Sequence, residues 1–581
     1  MSEHSASTAG DRGRRAVRAV RSRLRGMVES AQGSPATAQP RPAPPGPTLG
    51  ARTVLGGGSA EWLRADVLAS GRVRTGFAGQ WLLTTSDPDV VLVEVDARST
   101  ETVEAPFARQ REAVLGSTVP VIVWVTASSA VATGAAAVTR LLQGVTAATH
   151  VLVDDPTVVD EWTRALGREV QHLGPAVDPA LHSVALTGST LARQRRLALV
   201  GEPQFDRARL DRISPDLVSV LGSGKIPAEP RGDRLDLGNN RTVAFLADEP
   251  LTPWYALEAA SAGASLLATD EVAARWPESL AAHAYRVGDD SQLQQHAIAQ
   301  MWQDELVDRT TLAAAREVRS EHTFARRASD LEALVGRARP GRTGPGGARG
   351  VSAVISTNRA HELDTVADNM ARQTLLREGH VQVVLVLHGL DVQTAEVAAR
   401  FRDRGIDNLE IRHADSELTL GACLNLGIDA SDGAHIAKID DDNFYGRYYL
   451  SDLVDAIGYS GAGIVGKWAH YMWLRSTGAV ILRFPKSEHS YERLVQGGSI
   501  LMRGDVAREL RFSDLPRRVD TTLLDRAKEA GVRTYSADRF NYVSIRGRDP
   551  QAHTWKLEDT AFMNRSGQVV FYGDPREHVE I

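Results

Sequence analysis

A chain of 581 residues is long enough to form more than one folded domain. Its 43% hydrophobic and 24% charged residues are typical of soluble globular proteins, and its formal net charge of -6 gives no indication of nucleic-acid binding. The single cysteine, Cys423, excludes an internal disulfide and a zinc site built from several cysteines. A reducing compartment fits this composition, so we expect the protein to be cytoplasmic.

Residues 1–50 are predicted to be a disordered tail that is basic in its first half and Pro-rich in its second. Seven arginines lie between residues 12 and 25, and among them apolar residues recur at nearly helical spacing: Val17, Val20, Leu24 and Val28. Two interpretations remain open. The basic half could be a short amphipathic helix that rests peripherally on the anionic inner face of a membrane, or it could be a solvated tail.

Residues 51–335 alternate between apolar runs and helical patterns. Buried strands are predicted at residues 90–95, 119–125, 150–153 and 197–200. Such runs, separated by helices, are typical of parallel sheets that are covered on both faces. We predict an α/β region with two Rossmann-like halves, about 51–200 and 201–335, and one large α/β domain is the alternative. Residues 336–350 are rich in Gly, Pro and Arg and are predicted to be a linker.

Residues 351–581 restart the same alternation. Strands are predicted at residues 351–356, 381–387, 409–411 and 434–440. Helices are predicted at residues 361–377, 391–404 and 419–430. This βαβαβαβ order predicts a nucleotide-binding α/β sheet, in which ligands bind at the carboxyl ends of the strands.

The last of these strands ends in three adjacent carboxylates, Asp440, Asp441 and Asp442. Three like charges side by side repel one another unless they are solvated or a divalent cation neutralises them. Mg²⁺ or Mn²⁺ prefers a few carboxylates together with the oxygens of a substrate diphosphate. The pattern therefore indicates a metal–nucleotide site, and an Asp-rich turn that caps the next helix is the alternative.

The region from about residue 351 to residue 548 resembles the GT-A domain of family 2 glycosyltransferases. The resemblance is carried by the order and spacing of several short motifs. They are the first strand and turn Val354-Ile355-Ser356-Thr357-Asn358-Arg359, the helix end from Asn369 to Gln373, the helix with Gly421, Asn425 and Gly427, the acidic motif Asp440-Asp441-Asp442-Asn443, the acceptor-facing segment Gly497-Gly498-Ser499, and the helix with Val519, Asp520 and Gly531.

The resemblance implies roles for individual residues. Asp520 would be the catalytic base, with Asp514 as a fallback, because Val519 stands where relatives carry an acid. Asp442 would bind the cofactor, Mn²⁺ or Mg²⁺, together with His553, for which packing beside Trp555 is the alternative. The nucleotide-sugar donor would contact Ser356, Thr357, Asn358, Arg359, Asn425, Asp440 and Asp441.

Other residues near this site have two interpretations each. Arg546 and Arg548 could hold diphosphate oxygens or could simply be solvated. The aromatic residues at 468–473 could stack on a sugar in the acceptor cleft or pack in the core. His388 occupies the position where many relatives carry an acid that contacts the nucleotide base, which leaves the preferred base open.

Residues 240–335 resemble the nucleotide-sugar half of GT-B glycosyltransferases of the spore-maturation-protein type, through segments 256–264 and 322–327. In GT-B enzymes Glu258 would hold the donor ribose, but Pro250 occupies the place of the expected partner acid. We therefore expect a degenerate or acceptor-handling domain. The alternative is a helix around Glu258 that only packs this half of the region.

These resemblances together predict a metal-dependent, inverting, hexosyltransferase-like enzyme. It would move a sugar from a nucleotide-diphosphate donor to a glycan or lipid-linked acceptor in cell-envelope polysaccharide synthesis. The alternatives are a bifunctional transferase with both halves active and a non-catalytic carbohydrate-binding scaffold. We expect no nucleic-acid partner.

Overall fold

The computed structural model describes residues 88–97, 117–190, 194–200, 240–335, 350–547 and 559–581, apart from residues 248, 249, 565 and 566. It also describes residues 53–57, 73–75, 111, 114, 115 and 237. The predicted tail, His553 and Arg548 lie outside the described residues. None of the helices in the described part has both the length and the hydropathy that crossing a bilayer requires.

The first sheet of the N-terminal region is parallel. Its strands are β1 (Thr53–Gly57), β2 (Val73–Thr75), β3 (Pro88–Asp96), β4 (Val121–Thr126), β5 (Thr149–Val153) and β6 (Gln171–His172), in the order β2-β1-β3-β4-β5-β6. Helices α1 (Val131–Leu142) and α2 (Val159–Leu166) cover it. They approach closely because Gly134 of α1 faces Trp162 of α2, where an added Cβ would lie 2.6 Å from the indole ring.

A second parallel sheet follows. Its strands are β7 (Gln194–Val200), β8 (Asn240–Phe245), β9 (Ser265–Ala268) and β10 (Tyr285–Arg286), in the order β10-β9-β8-β7. Its helices are α3 (Val184–Thr187), α4 (Thr252–Ser261), α5 (Asp270–Ala273), α6 (Glu278–Ala281), α7 (Asp290–Trp302), α8 (Asp304–Glu321) and α9 (Phe324–Leu334). One apolar core joins both sheets, since Trp124 of β4 packs on Trp254 of α4 with ring centroids 5.5 Å apart. The predicted parallel sheets are thus confirmed, whereas the GT-B resemblance stays a prediction.

The C-terminal domain contains two further sheets. Its strands are β11 (Val351–Thr357), β12 (Val381–His388), β13 (Leu409–Ala414), β14 (His435–Ile439), β15 (Phe444–Tyr445), β16 (Ile464–Gly466), β17 (His470–Leu474), β18 (Ala479–Arg483), β19 (Ser490–Tyr491), β20 (Leu501–Arg503), β21 (Thr534–Ser536), β22 (Tyr542–Arg546) and β23 (Gly567–Tyr572). The larger sheet has the order β13-β12-β11-β14-β20-β16-β21-β19, and the smaller one has the order β15-β22-β17-β18-β23. Strands β11 to β14 pair in parallel, which confirms the predicted βαβαβαβ run.

The helices of this domain are α10 (Leu363–Ala371), α11 (Thr374–Arg377), α12 (Thr394–Arg402), α13 (Leu420–Asp429), α14 (Tyr449–Ser460), α15 (Gly504–Leu510), α16 (Val519–Glu529), α17 (Asp559–Asn564) and α18 (Arg576–Val579). The predicted helical region over residues 361–377 is divided into two helices, α10 and α11. Gln373 is extended, with φ -63° and ψ 129°, and separates α10 from α11. Its amide donates hydrogen bonds to the carbonyl oxygens of Asn369 and Gly446, at 3.0 and 2.9 Å. The second partner lies far away in sequence, so helix periodicity could not reveal the break.

Helix α8 of the N-terminal region packs directly on the C-terminal domain. Its Arg316 donates two hydrogen bonds to the carboxylate of Asp452 in α14, at 2.7 and 2.8 Å. Asp308, also in α8, accepts a hydrogen bond from Arg539. Leu312 lies between them and joins the apolar cluster that contains Phe540 and Val543. One face of α8 therefore connects the two parts of the chain through buried ion pairs and apolar contact.

We predict that Arg316→Met destabilises the protein strongly. Asp452 has only 2% of its side chain exposed, so the substitution would leave a buried carboxylate without its cation. Breaking a buried pair in this way costs about 3–5 kcal/mol of unfolding free energy. Thermal or denaturant unfolding of the whole chain measures the loss.

Arg404→Met is the matched control for this change. Arg404 pairs with Asp364 and Asp368, whose side chains are more than half exposed, so the substitution should cost less than about 1 kcal/mol. Equal losses in the two variants would contradict a stabilising role for the contact between α8 and α14.

Candidate active site

The carboxyl ends of β11 and β14 lie side by side, since Ile355 pairs with Ile439 in parallel register. β11 ends at Thr357, and β14 ends one residue before Asp440. The polar turn after β11 and the three aspartates after β14 therefore share one edge of the sheet, which is where open α/β sheets bind ligands.

Asp441 fastens the turn after β11 to the end of β14. It is buried and accepts a 2.5 Å hydrogen bond from the hydroxyl of Thr357. It also pairs with the guanidinium of Arg359, whose Nε donates at 3.0 Å. These contacts fix the two strand ends relative to each other, so Thr357 and Asp441 hold the site's framework in this structure.

Asp442 is more open, with 30% of its side chain exposed. Arg359 donates to its Oδ2 at 2.9 Å. Burial and the neighbouring Asp440 carboxylate nevertheless raise the pKa of Asp442 to about 6, and Arg359 only partly opposes the rise. A carboxylate crowded by a second carboxylate is a suitable position for a divalent cation.

The described residues contain no group of three or more His, Cys, Asp or Glu side chains placed to hold a metal ion. His553, the second predicted ligand, is not among these residues. The candidate metal ligands among the described residues are the carboxylates of Asp442 and Asp440. Two carboxylates suit a divalent cation that takes its other ligands from water or substrate phosphates.

Lys438 links the acidic motif to the predicted base. Its Nζ lies 2.6 Å from Asp440 Oδ1 and 3.4 Å from Asp520 Oδ1, and it donates to the carbonyl oxygen of Gly497 at 3.1 Å. Burial alone would lower the pKa of Lys438, but the two carboxylates raise it above its usual value. The ammonium group therefore stays charged and holds Asp440 and Asp520 together.

Asp520 lies at the start of α16, and its buried Oδ1 forms a 3.4 Å ion pair with the Lys438 ammonium group. Burial raises the pKa of this carboxyl, Lys438 opposes the rise, and the charge of Asp440 adds to it. A carboxylate with a raised pKa is a better proton acceptor than an exposed one.

Two glycines form the wall beside these carboxylates. A Cβ at Gly497 would lie 2.6 Å from Asp520 Cγ, and a Cβ at Gly498 would lie 2.6 Å from Asp440 Oδ2. Both distances are shorter than a van der Waals contact, so no larger residue fits without moving a carboxylate. The glycine pair thus allows the backbone to approach both acids.

Residues 353–515 match the family model described as glycosyl transferase family 2. The C-terminal part of the chain contains a family 2 glycosyltransferase domain. The match includes the turn after β11, the three aspartates and the glycine pair, and it ends five residues before Asp520.

Solved structures with a similar domain include two glycosyltransferases. Staphylococcus aureus TarS, residues 1–349, in complex with UDP-GlcNAc is 14% identical, with a TM-score of 0.27, over 34% of this chain and 59% of that one. The mannosyltransferase PcManGT from Pyrobaculum calidifontis, in complex with GDP-Man and Mn²⁺, is 15% identical, with a TM-score of 0.27, over 34% of this chain and 56% of that one. The chain thus spans less than two thirds of either structure. No curated protein matches the sequence.

The remaining predicted site residues have other partners or are open to solvent. Asn358 is exposed, and the Ser356 hydroxyl contacts the Cys423 thiol. Asn425 both donates to and accepts from the backbone of Phe512, at 2.9 Å each way. Arg546 pairs with Asp559 at 2.8 Å. Their roles in donor binding stay predictions.

Asp514, the fallback base, contacts a different part of the domain from Asp440 and Asp520. It is exposed and accepts a 2.5 Å hydrogen bond from Thr419 at the start of α13. Of the two candidates, Asp520 is the one within reach of Lys438. Lys438 itself was missed at the sequence level, although a lysine between Ala437 and Ile439 in a buried strand is a signal that could have identified it.

We predict that Gly497→Ala lowers turnover by about 10²-fold. The added methyl group would displace the Asp520 carboxylate. Misplacement of a reacting group by about 1 Å can lower the rate by that factor. Donor hydrolysis measures the change, and circular dichroism confirms the fold. Gly458→Ala in α14 is the control, since its Cβ would meet no atom within 4 Å. Unchanged turnover in Gly497→Ala would argue against Asp520 as part of the site.

Proposed function

We propose that the protein is a metal-dependent, inverting glycosyltransferase that moves a sugar from a nucleotide-diphosphate sugar to a glycan or lipid-linked acceptor. The observation that carries the proposal is the position of Lys438, which lies between Asp440 of the acidic motif and Asp520. A donor-side acid and a candidate base are thereby held on either side of one cation.

Asp520 would act as the general base. The acceptor hydroxyl would lose its proton to the Asp520 carboxylate as its oxygen attacks the anomeric carbon of the donor sugar. The bond to the diphosphate breaks in the same displacement, and attack from the opposite face inverts the anomeric centre. Burial and Asp440 favour this role, because both raise the proton affinity of Asp520.

Asp442 and Asp440 would hold the divalent cation, Mn²⁺ or Mg²⁺. When bound, the cation supplies charge neutralisation to the departing diphosphate. Arg359, which reaches Asp442 at 2.9 Å, is placed to donate hydrogen bonds to diphosphate oxygens as well. Ser356 and Asn358, in the turn after β11, would contact the nucleoside.

The cellular setting follows from the family. Enzymes with this domain commonly build cell-envelope polysaccharides on glycan or lipid-linked acceptors, and we propose the same role here, on the cytoplasmic face of a membrane. The basic segment with arginines between residues 12 and 25 would provide peripheral contact with anionic lipid.

A second active site in the N-terminal region is disfavoured by the burial of Glu258. Only 2% of this residue is exposed, and its Oε1 lies 3.9 Å from Nε2 of His182. A donor ribose could not reach this carboxylate in the observed packing. We therefore propose one active site, and Glu258→Gln should leave transfer unchanged.

The first test is a donor screen that measures nucleotide release from UDP-, GDP-, CDP- and dTDP-sugars with Mn²⁺ or Mg²⁺. We predict hydrolysis of one donor, abolished by chelation of the metal and by Asp442→Ala. Asp520→Asn should lower transfer by about 10²–10⁴-fold, the typical contribution of a positioned base.

Asp514→Asn is the control for the base, since its carboxylate contacts Thr419 and should leave the rate near that of the wild type. Equal losses in the two variants would contradict the assignment of Asp520. Absence of both hydrolysis and metal-dependent nucleotide binding, for every donor, would favour the carbohydrate-binding scaffold.

A further inference from the structure

Arg483 is a buried cation that has no anionic partner in the described part of the chain. It ends β18, and only 8% of the residue is exposed. Among the described residues its guanidinium has no hydrogen-bond partner and no carboxylate partner, and its Nε is fully buried. Other buried arginines of this domain are paired: Arg539 contacts Glu488 at 2.7 Å and Arg546 contacts Asp559 at 2.8 Å. An unpaired buried charge is costly, which makes Arg483 a candidate binding residue.

Aromatic rings position the guanidinium of Arg483. It lies over the ring of Phe484 at 4.6 Å and over that of Phe562 at 5.2 Å. Phe484 in turn stacks on Trp468, with ring centroids 4.2 Å apart and planes only 7° from parallel. Trp468 and Phe484 are both half-buried, so this stacked pair retains access to solvent.

The backbone of Phe484 is strained, with φ at +48°. A bulky residue rarely adopts this conformation, and it persists only where the surrounding structure enforces it. Here the strained position places the ring between Trp468 and Arg483. The strain is a second observation, independent of charge, that indicates a functional role for this column of side chains.

The protein supplies no anion from the neighbouring strand either. His470 lies directly opposite Arg483, and its Nδ1 donates to the carbonyl oxygen of Trp468 at 2.8 Å. Burial, together with the charge of Arg483, lowers the pKa of His470 to about 3, so the ring is neutral. Burial also lowers the pKa of Arg483 to about 10, which still leaves the guanidinium charged at neutral pH.

The column is connected to the glycine wall through His470, which lies opposite Arg483, and Tyr542. The ring of His470 is 5.9 Å from that of Tyr542, and the Tyr542 hydroxyl would lie 2.9 Å from a Cβ at Gly498. In the larger sheet, β16 lies two strands from β14, on the side opposite β11 and β12. β17, in the smaller sheet, follows β16 in the sequence. Donor and acceptor must meet at the acids, so a ligand on this side is on the acceptor side.

We propose that Arg483, Phe484 and Trp468 form a subsite that binds a sugar unit bearing an oxyanion within the acceptor. The guanidinium would hold the oxyanion, phosphate or carboxylate, and the stacked aromatic pair would contact the sugar ring. The inference rests on the proposed function, and it adds that the acceptor is anionic.

Direct binding tests the subsite without any need for turnover. Calorimetry of the full chain with glucose 6-phosphate, glucuronate and glucose compares a phosphate, a carboxylate and a neutral probe. We expect at least one anionic probe to bind about tenfold or more tightly than glucose, and the preferred probe identifies the oxyanion. Arg483→Met should abolish the preference. Arg483→Lys, which keeps the charge but loses the planar fork, should retain part of it.

Arg475→Met is the matched control, since Arg475 is an exposed arginine that stacks on Trp473 in the same sheet. It should bind the probes like the wild type. Without any probe, Arg483→Met should raise the melting temperature by about 2–4 °C, because it removes an unpaired buried charge. A purely structural arginine would give the opposite sign.

Three results would overturn the inference. One is equal affinity of the wild type for glucose and both anionic probes, and another is an undiminished preference in Arg483→Met. The third is displacement of the probe by UDP or GDP with Mn²⁺, which would assign Arg483 to the donor diphosphate. Failure of the wild type to hydrolyse any donor would count against the proposed function but would leave the binding result standing.

Discussion

The ammonium group of Lys438 keeps two partly exposed carboxylates, Asp440 and Asp520, next to each other. Without it, the two negatively charged carboxylates would repel each other. The lysine is buried in β14, so its charge is not screened by water and both carboxylates depend on it. The same group binds the carbonyl oxygen of Gly497, which places the glycine wall relative to the acids. One charge in one strand thus positions Asp440, Asp520 and the glycine wall.

The framework around this charge is built from contacts that need no ligand. Thr357 and Arg359 hold Asp441, and the glycines at 497 and 498 bring the backbone against Asp520 and Asp440. Because these groups already have protein partners, the site is organised before substrate arrives. Such preorganisation is where much of the rate enhancement of enzymes originates, since the protein need not reorient its dipoles during the reaction.

The sequence was sufficient for the features that are local. An apolar run followed by three acids predicted β14, and the strand–helix alternation predicted the parallel sheets. Features that depend on distant partners were not accessible. Gln373 breaks a helix because its amide reaches Gly446, and Asn425 is held by Phe512. In the sequence, Lys438 is a lysine within an apolar strand. The folded structure is needed to show that its Nζ lies 3.4 Å from Asp520 Oδ1. The absence of a described partner for the Arg483 guanidinium depends on residues distant in sequence, so no local pattern could predict it.

The contact between Asp308 and Arg539 has a consequence for the N-terminal region. Arg539 also binds Glu488, which belongs to the segment that runs from Phe484 to the glycine wall. The N-terminal region therefore braces the segment that connects the arginine column with the two acids. Selection could retain such a region for its stiffness alone, after any chemistry of its own had been lost. Its contribution would then lie in how accurately the side chains of the C-terminal domain are positioned, although it supplies none of them.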